Sequence, residues 1–435
     1  MNKSLPLIQD DPWLKPYEPE VQRRVRHFTD KLTRINQQYR SLEEYSSLHK
    51  YLGFHYSKEH KGVFYREWAP GAFSLYLIGD FNHWNRQSHP LRRLDNGFWE
   101  VFLPESEFPL NVLHGTKVKV LISGHNGSHD RIPAYITRVV QDTKTYDFAG
   151  ELLFDSTFVW TDGDFKFSKE IPLKIYECHI GMSQEKEGVG TYLEFTDTVL
   201  PRAKQLGYNA IQMMAVQEHP YYGSYGYHVS NFFAPSSRFG TSEELKFLIN
   251  KAHEMGIIVI MDIIHSHAVK NISEGLNEFD GTSHCYFHEG SRGYHELWDS
   301  KLFDYGKDEV LRFLLSNIRY WLEEFHFDGF RFDGITSMLY FHHGNFTDFD
   351  HYDKYFAQGV DHDALLYLQL ANRVVQQVNP NAISIAEDMS GMPGLCRYQE
   401  DGGIGFDYRL GMGIPDYWIK LLKEKADEDW NIYDM

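Results

Sequence analysis

Residues 327–334 read FDGFRFDG. Side chains alternate across a strand, so Phe327, Gly329, Arg331 and Asp333 share one face and Asp328, Phe330 and Phe332 share the other. The run therefore ends with a guanidinium and a carboxylate side by side. Alone, it fits a structural ion pair at a strand end as well as a functional group, because buried carboxylates are rarely left unpaired. The surrounding sequence has to decide between them.

Outward from this run, strand patterns recur with helical patterns between them: LKIYECHI (173–180), AIQMMAV (210–216), IIVIMDII (257–264), ISIAED (383–388) and GFDYRL (405–410). Residues 242–255 predict a helix, with Thr241 and Glu244 spaced as a capping box, Leu245, Leu248, Ile249 and Ala252 on one face and Gly256 as a stop. Residues 308–325 (Leu311, Leu314, Ile318 and Phe325 inward) and 363–378 (ended by Asn379-Pro380) predict two more. Strands alternating with helices imply a parallel sheet, and long insertions after the strands resemble the loops that carry function on a (β/α)8 barrel. The fold class expected is α/β, an incomplete (β/α)8 TIM barrel with strands 1 to 6, over residues 156–435.

Before residue 156 the pattern differs. Residues 1–50 form an N-terminal helical segment, with Val21, Val25, Phe28, Leu32, Ile35, Tyr39 and Leu42 at helical spacing. Residues 51–155 carry the short strand patterns GVFYREW, FSLYLIGDF, GFWEVFLP and TKVKVLIS between Gly, Asn, Asp and Pro turns, as in a β-sandwich.

With 43 basic and 61 acidic residues, the 435-residue chain has a formal charge of −18, which disfavours nucleic acid and anionic membrane as partners. A neutral ligand fits better. Cys178, Cys285 and Cys396 lack metal or disulfide-framework spacing, so a reducing compartment is expected. The N-terminus has no apolar core of signal-peptide length, and GIIVIMDII is too short to span a bilayer. These features predict a cytoplasmic protein.

On a barrel, active groups stand at the C-terminal ends of strands, and there the sequence offers Asp262, His267, Arg331, Asp333 and Glu387. A retaining glycosidase needs a nucleophilic carboxylate and a second carboxyl as acid and base, about 5–5.5 Å apart. Asp333 and Glu387, on neighbouring strands at equivalent heights, suit that geometry. Arg331, on the same face as Asp333, would keep that carboxylate ionised.

Three motifs carry a resemblance. MDIIHSH resembles the first conserved region of the α-amylase superfamily of glycoside hydrolases, GFRFD the second and AED the third. The flanking text, YYGSYGYHVSNFFAPSSRFG, FDGFRFDGITSMLY and AEDMSGMP, is similar to glycogen branching enzymes of the eukaryotic type, and the resemblance runs from about residue 50 onward. It implies transfer of an α-1,4-glucan segment to a 6-hydroxyl, with Asp333 as nucleophile, Glu387 as proton donor and then base, and Arg331 supporting the nucleophile. It also implies that His267 hydrogen-bonds a sugar hydroxyl, Tyr227 stacks on that sugar and Asp262 holds the loop architecture. Strand alternation does not place Asp262 and His267 on one face, so the chain must leave strand geometry between them. No cofactor is implied, and the partner is an α-glucan such as glycogen or amylose.

The stretch REWAPGAFSLYLIGDFNHWN resembles the carbohydrate-binding module that precedes the barrel in branching enzymes. Sugars offer C–H faces to aromatic rings and hydroxyls to Asp and Asn, so Trp68, Trp84, Asp95 and Asn96 are candidates for a glucan platform. Against this, buried Trp is common in sandwiches. Asp308, Glu309 and Arg312 open a helix whose first turn should face the active rim and touch glucan; acids there also complement the helix dipole.

Three other readings compete. His265 and His267 are spaced as in metal-dependent barrel hydrolases, although the later strands supply Arg331, Asp333 and Glu387 rather than further metal ligands. Hydrolysis uses the same two carboxylates and differs only in acceptor binding and water exclusion. Finally, residues 388–435 hold no His-Asp pair of the kind that carries the superfamily's further catalytic Asp. The chain is therefore expected to stop before that region, and its 435 residues alone to bind glucan without branching it.

Overall fold

The computed structural model describes residues 4–154 and 157–433, and within it the chain divides into two compact units. The larger holds Lys31–Phe330 and Arg373–Ile383; the other holds the residues up to Asp30, Arg331–Asn372 and those from Ser384 onward. The domain boundary expected between residues 155 and 156 lies outside the described residues, as do the extreme ends of the first and last segments. The sandwich and the first barrel strands fall in the same unit.

In the larger unit the β-sandwich has a four-stranded sheet in the order Gly53–Ser57, Gly62–Trp68, Phe98–Pro104, Arg92–Arg93. Its second sheet runs Ser74–Gly79, Lys117–Gly124, Phe148–Glu151, Val139–Gln141, with Gly127–Arg131 paired to Lys117–Gly124. The expected strands form, and residues 94–100, LDNGFWE, turn a hairpin with Arg92 opposite Glu100 and Asn96 in the left-handed region at φ 58°. Gly127–Arg131 is not foreseen. Its sequence, GSHDR, has no apolar alternation, and it joins the sheet by backbone pairing with Val120–Gly124.

The first parallel strands, Ile175–Cys178, Ala210–Met213 and Ile258–Ile263, lie side by side in that order. Ile258–Ile263 is buried throughout, as a strand covered on both faces must be. The helix Ser242–Glu254 feeds it, with both capping-box bonds between Thr241 and Glu244 made and Gly256 at φ 69° releasing the chain. The helix Asp308–Phe325 leads to the next strand, Gly329–Phe332. The Asp328 N–H donates to the Val259 carbonyl at 2.8 Å and the Ile383 N–H to the Asp328 carbonyl at 2.8 Å, which sets the order of the strands within this unit. Only glycine fits at 329, because a Cβ there would lie 2.0 Å from the Ile383 carbonyl oxygen.

In the smaller unit the Glu18–Tyr39 helix begins against a core of Leu7, Ile8, Leu14 and Val21. Arg24 donates to the carbonyls of Pro393 and Gly402. The last residues of Gly329–Phe332 and of Ile383–Ala386 belong here, and Tyr408–Arg409 pairs in parallel with Ile385 and Ala386. Among the described residues, six strands in parallel order, with α-helices between the first five, after a β-sandwich, make the α/β class expected from the alternation. Among the described residues, no helix is long and apolar enough to cross a membrane.

Candidate functional site

The smaller unit carries the carboxylate pair. Arg331 and Asp333 bracket the end of the Gly329–Phe332 strand, and Glu387 directly follows Ile383–Ala386. The Glu387 N–H donates to the Phe332 carbonyl at 3.0 Å, and the Ile335 N–H to the Glu387 carbonyl at 3.1 Å. Parallel pairing thus continues past the strand ends and holds the two acids level. Arg331 Nη1 donates to Asp333 Oδ1 at 2.8 Å, and Nη2 lies 3.5 Å from Glu387 Oε1. One guanidinium touches both acids.

Glu387 Oε2 accepts the backbone N–H of Gly334 at 2.7 Å. Burial, reinforced by the charge of Asp333, raises the Glu387 pKa above the ordinary carboxylate value, against the opposing pull of Arg331 and the Gly334 N–H. The two carboxyls thus sit in different electrostatic settings, Glu387 with its proton favoured and Asp333 bonded to a guanidinium.

Sequence reading missed the buried Asp388 behind this pair. Its carboxylate accepts from Ser390 Oγ at 2.7 Å, Gly391 N–H at 2.7 Å and Thr336 Oγ1 at 2.8 Å, and it is 3.2 Å from Arg409 Nε. Thr336 Oγ1 in turn accepts the Met389 N–H at 2.8 Å. The turn after Glu387 is thereby tied to the helix that follows Asp333. An Asp two residues before Ser390-Gly391 is the signal that could have revealed it, since Asp side chains close such turns on their own backbone.

The larger unit holds the other barrel candidates. Asp262, fully buried on the Ile258–Ile263 strand, accepts the Tyr227 hydroxyl at 2.7 Å. His267 follows the strand and is buried, and burial, with His228 adding to it, pushes its pKa down to about 4. It is a neutral imidazole at neutral pH. His265, the other half of the suspected metal pair, is 3.0 Å from Asn317 Oδ1 through Nε2, and its carbonyl accepts the Tyr305 hydroxyl. Among the described residues, no group of three or more His, Cys, Asp or Glu side chains is arranged to hold a metal ion.

Two of the expected glucan contacts need correction. Trp68 is 7% exposed, with its ring edge-on to Tyr286 at 5.2 Å, so it offers no face to a polysaccharide. Arg312 is also withdrawn: it pairs with Glu309 at 3.1 Å and lies over the rings of Tyr39 and Tyr45. Lys31 takes Asp308. The first turn of the Asp308–Phe325 helix is therefore packed against the N-terminal segment instead of facing glucan. Trp84, by contrast, is 37% exposed, with its indole N–H held by Asp80 at 2.9 Å. Asp95 and Asn96 are exposed at their hairpin turn.

Comparison with known proteins matches residues 51–136 to carbohydrate-binding module 48 (isoamylase N-terminal domain) and residues 184–290 to the alpha amylase catalytic domain. A 1,4-alpha-glucan-branching enzyme of Dictyostelium discoideum is 51% identical over 433 residues, 98% of this chain and 62% of that protein. One from Felis catus is 49% identical over 437 residues, 98% of this chain and 61% of that protein. The chain thus spans less than two thirds of the length of these relatives. Among solved structures, the group B Streptococcus pullulanase SAP in complex with maltotetraose aligns with a TM-score of 0.57 at 20% identity, covering 78% of this chain and 46% of that one. The catalytic module of the pneumococcal glycogen-degrading factor SpuA aligns at 0.59 and 18% identity, over 80% of this chain and 52% of that one.

Proposed function

We propose, from its likeness to 1,4-alpha-glucan-branching enzymes along nearly its whole length and the match of residues 184–290 to the alpha amylase catalytic domain, that this chain is of the α-amylase superfamily and serves α-1,4-glucan branching. The observation that carries the chemistry is the contact of one guanidinium with both Asp333 and Glu387. In the proposed reaction Asp333 attacks the anomeric carbon of a glucan chain while Glu387 gives its proton to the departing O4. This breaks the α-1,4 bond and leaves a covalent glycosyl ester on Asp333. The 6-hydroxyl of an acceptor glucose then loses its proton to Glu387, attacks the anomeric carbon and expels Asp333, forming the α-1,6 bond. Two inversions retain the configuration.

The raised pKa of Glu387 supports its role as the acid, and Arg331 supports Asp333 as the charged partner. His267 and Tyr227 are proposed to contact the sugar, and Asp262 to fix Tyr227 through its hydroxyl. Trp84, Asp95 and Asn96 are proposed to hold glucan on the sandwich, in keeping with the match to a carbohydrate-binding module. The test uses the native gene product on amylose, reading α-1,6 linkages by proton NMR. Asp333→Ala is expected to lower branching by at least about a hundredfold with glycogen retention kept, since loss of a covalent nucleophile costs orders of magnitude. A variant above that level has another nucleophile.

A further inference from the structure

Trp298 sits at the tip between two short paired strands, Tyr294–His295 and Ser300–Lys301. The turn is closed by Asp299 in the left-handed region at φ 50°, and its carboxylate bonds the Lys270 ammonium and the Tyr294 hydroxyl. Trp298 is held at its backbone and against two neighbouring rings. Its backbone N–H donates to His295 Nδ1 at 3.1 Å, and its carbonyl is 3.1 Å from His228 Nε2. Its ring stacks on the buried His295 at 4.1 Å with the planes 9° apart, and its centroid is 5.1 Å from that of His267.

Despite these ties Trp298 remains 36% exposed, and Leu297 beside it is 65% exposed. Holding a large apolar ring rigid and partly in water gains nothing for the fold, whereas a ring with little freedom left to lose binds a ligand at small entropic cost. Lys270 and Asp299 pair with each other and the exposed Glu296 adds one negative charge, so the patch offers no cation to an anionic ligand and suits a neutral one.

We propose that Trp298 is a stacking platform for a glucosyl unit of an α-glucan, adjoining His267. This rests on the reading of the chain as one that serves α-glucan chemistry. The C–H face of the pyranose covers the exposed indole, and Leu297 extends the apolar contact.

Labelling with 5-fluorotryptophan gives one 19F signal for each of the nine tryptophans, and Trp298 is identified by the signal lost in Trp298→Phe. Titration with maltoheptaose is expected to move that signal saturably. Trp298→Ala is expected to weaken maltoheptaose binding, measured by calorimetry, roughly 5- to 50-fold, and Trp298→Tyr to stay within about threefold. A Trp298 signal that stays in place while the wild type binds maltoheptaose overturns the platform and leaves the broader reading intact. A wild type that binds neither maltoheptaose nor glycogen overturns both. If Trp298→Ala does not fold, the titration of the labelled wild type decides by itself.

Discussion

Arg331 lies 2.8 Å from Asp333 and 3.5 Å from Glu387, so its charge acts on both carboxyls at once. Burial is the main force raising the Glu387 pKa, and Arg331 is the largest force opposing it. A general acid works only while protonated, so the rate should fall as pH rises through that raised pKa. Arg331→Gln removes the opposing charge. The alkaline limb of the kcat/KM profile is therefore expected to move to higher pH even as the rate falls, and a limb that stays or moves to lower pH would show that Arg331 does not act on the acid. These residues were legible because alternation puts Arg331 and Asp333 on one face and places Glu387 at the end of another strand. Trp68 and Arg312 were not. What covers Trp68 is Tyr286, and what occupies Arg312 is Tyr39 and Tyr45, all distant in sequence.

Among the elements, the helices were the most legible, since Thr241, Glu244 and Gly256 mark the ends of Ser242–Glu254 by bonds the side chains make locally. The short sandwich strands were less so, because their pairing is fixed by partners far along the chain. Glu67 is an example. It lies fully buried on the Gly62–Trp68 strand and accepts from the N–H groups of Trp68 at 3.0 Å and Ala134 at 2.9 Å and from the Tyr65 hydroxyl at 3.0 Å. Burial raises its pKa from 4.5 to about 7, beyond what those donors offset. The folded protein then keeps a proton that the unfolded chain has released, so this group costs stability as pH climbs from the lower value to the higher. Glu67→Gln does not titrate. Its melting temperature relative to wild type is expected to improve across that interval and level off above it; a difference that is flat or worsens with pH would contradict the assignment.

At the scale of the whole molecule, the sandwich is fastened to the barrel insertions within the larger unit. Arg131, 1% exposed, donates to the carbonyls of Gly275, Asn277 and Glu278 at 2.7, 2.7 and 2.9 Å, and the Gly71 N–H donates to Asp280 at 2.6 Å. No local pattern announces such contacts, because their acceptors are backbone carbonyls whose positions depend on the finished fold. The order of sandwich then alternating strands and helices was readable, since each element carries its own period, whereas the fastening between them was not. The net charge of −18 agrees with a neutral polymer as ligand.

The central claim is that Asp333 forms the covalent bond to the glucan and Glu387 moves the proton. A 5-fluoro-α-glucosyl fluoride slows the second displacement more than the first, so it leaves the sugar attached to the nucleophile of a retaining enzyme. Treated with this reagent, the native gene product is expected to gain the mass of one fluoroglucosyl group, and fragmentation of its peptides should place that group on Asp333. Attachment at Glu387 or any other residue, or no attachment in a preparation that transfers glucan, would contradict the account.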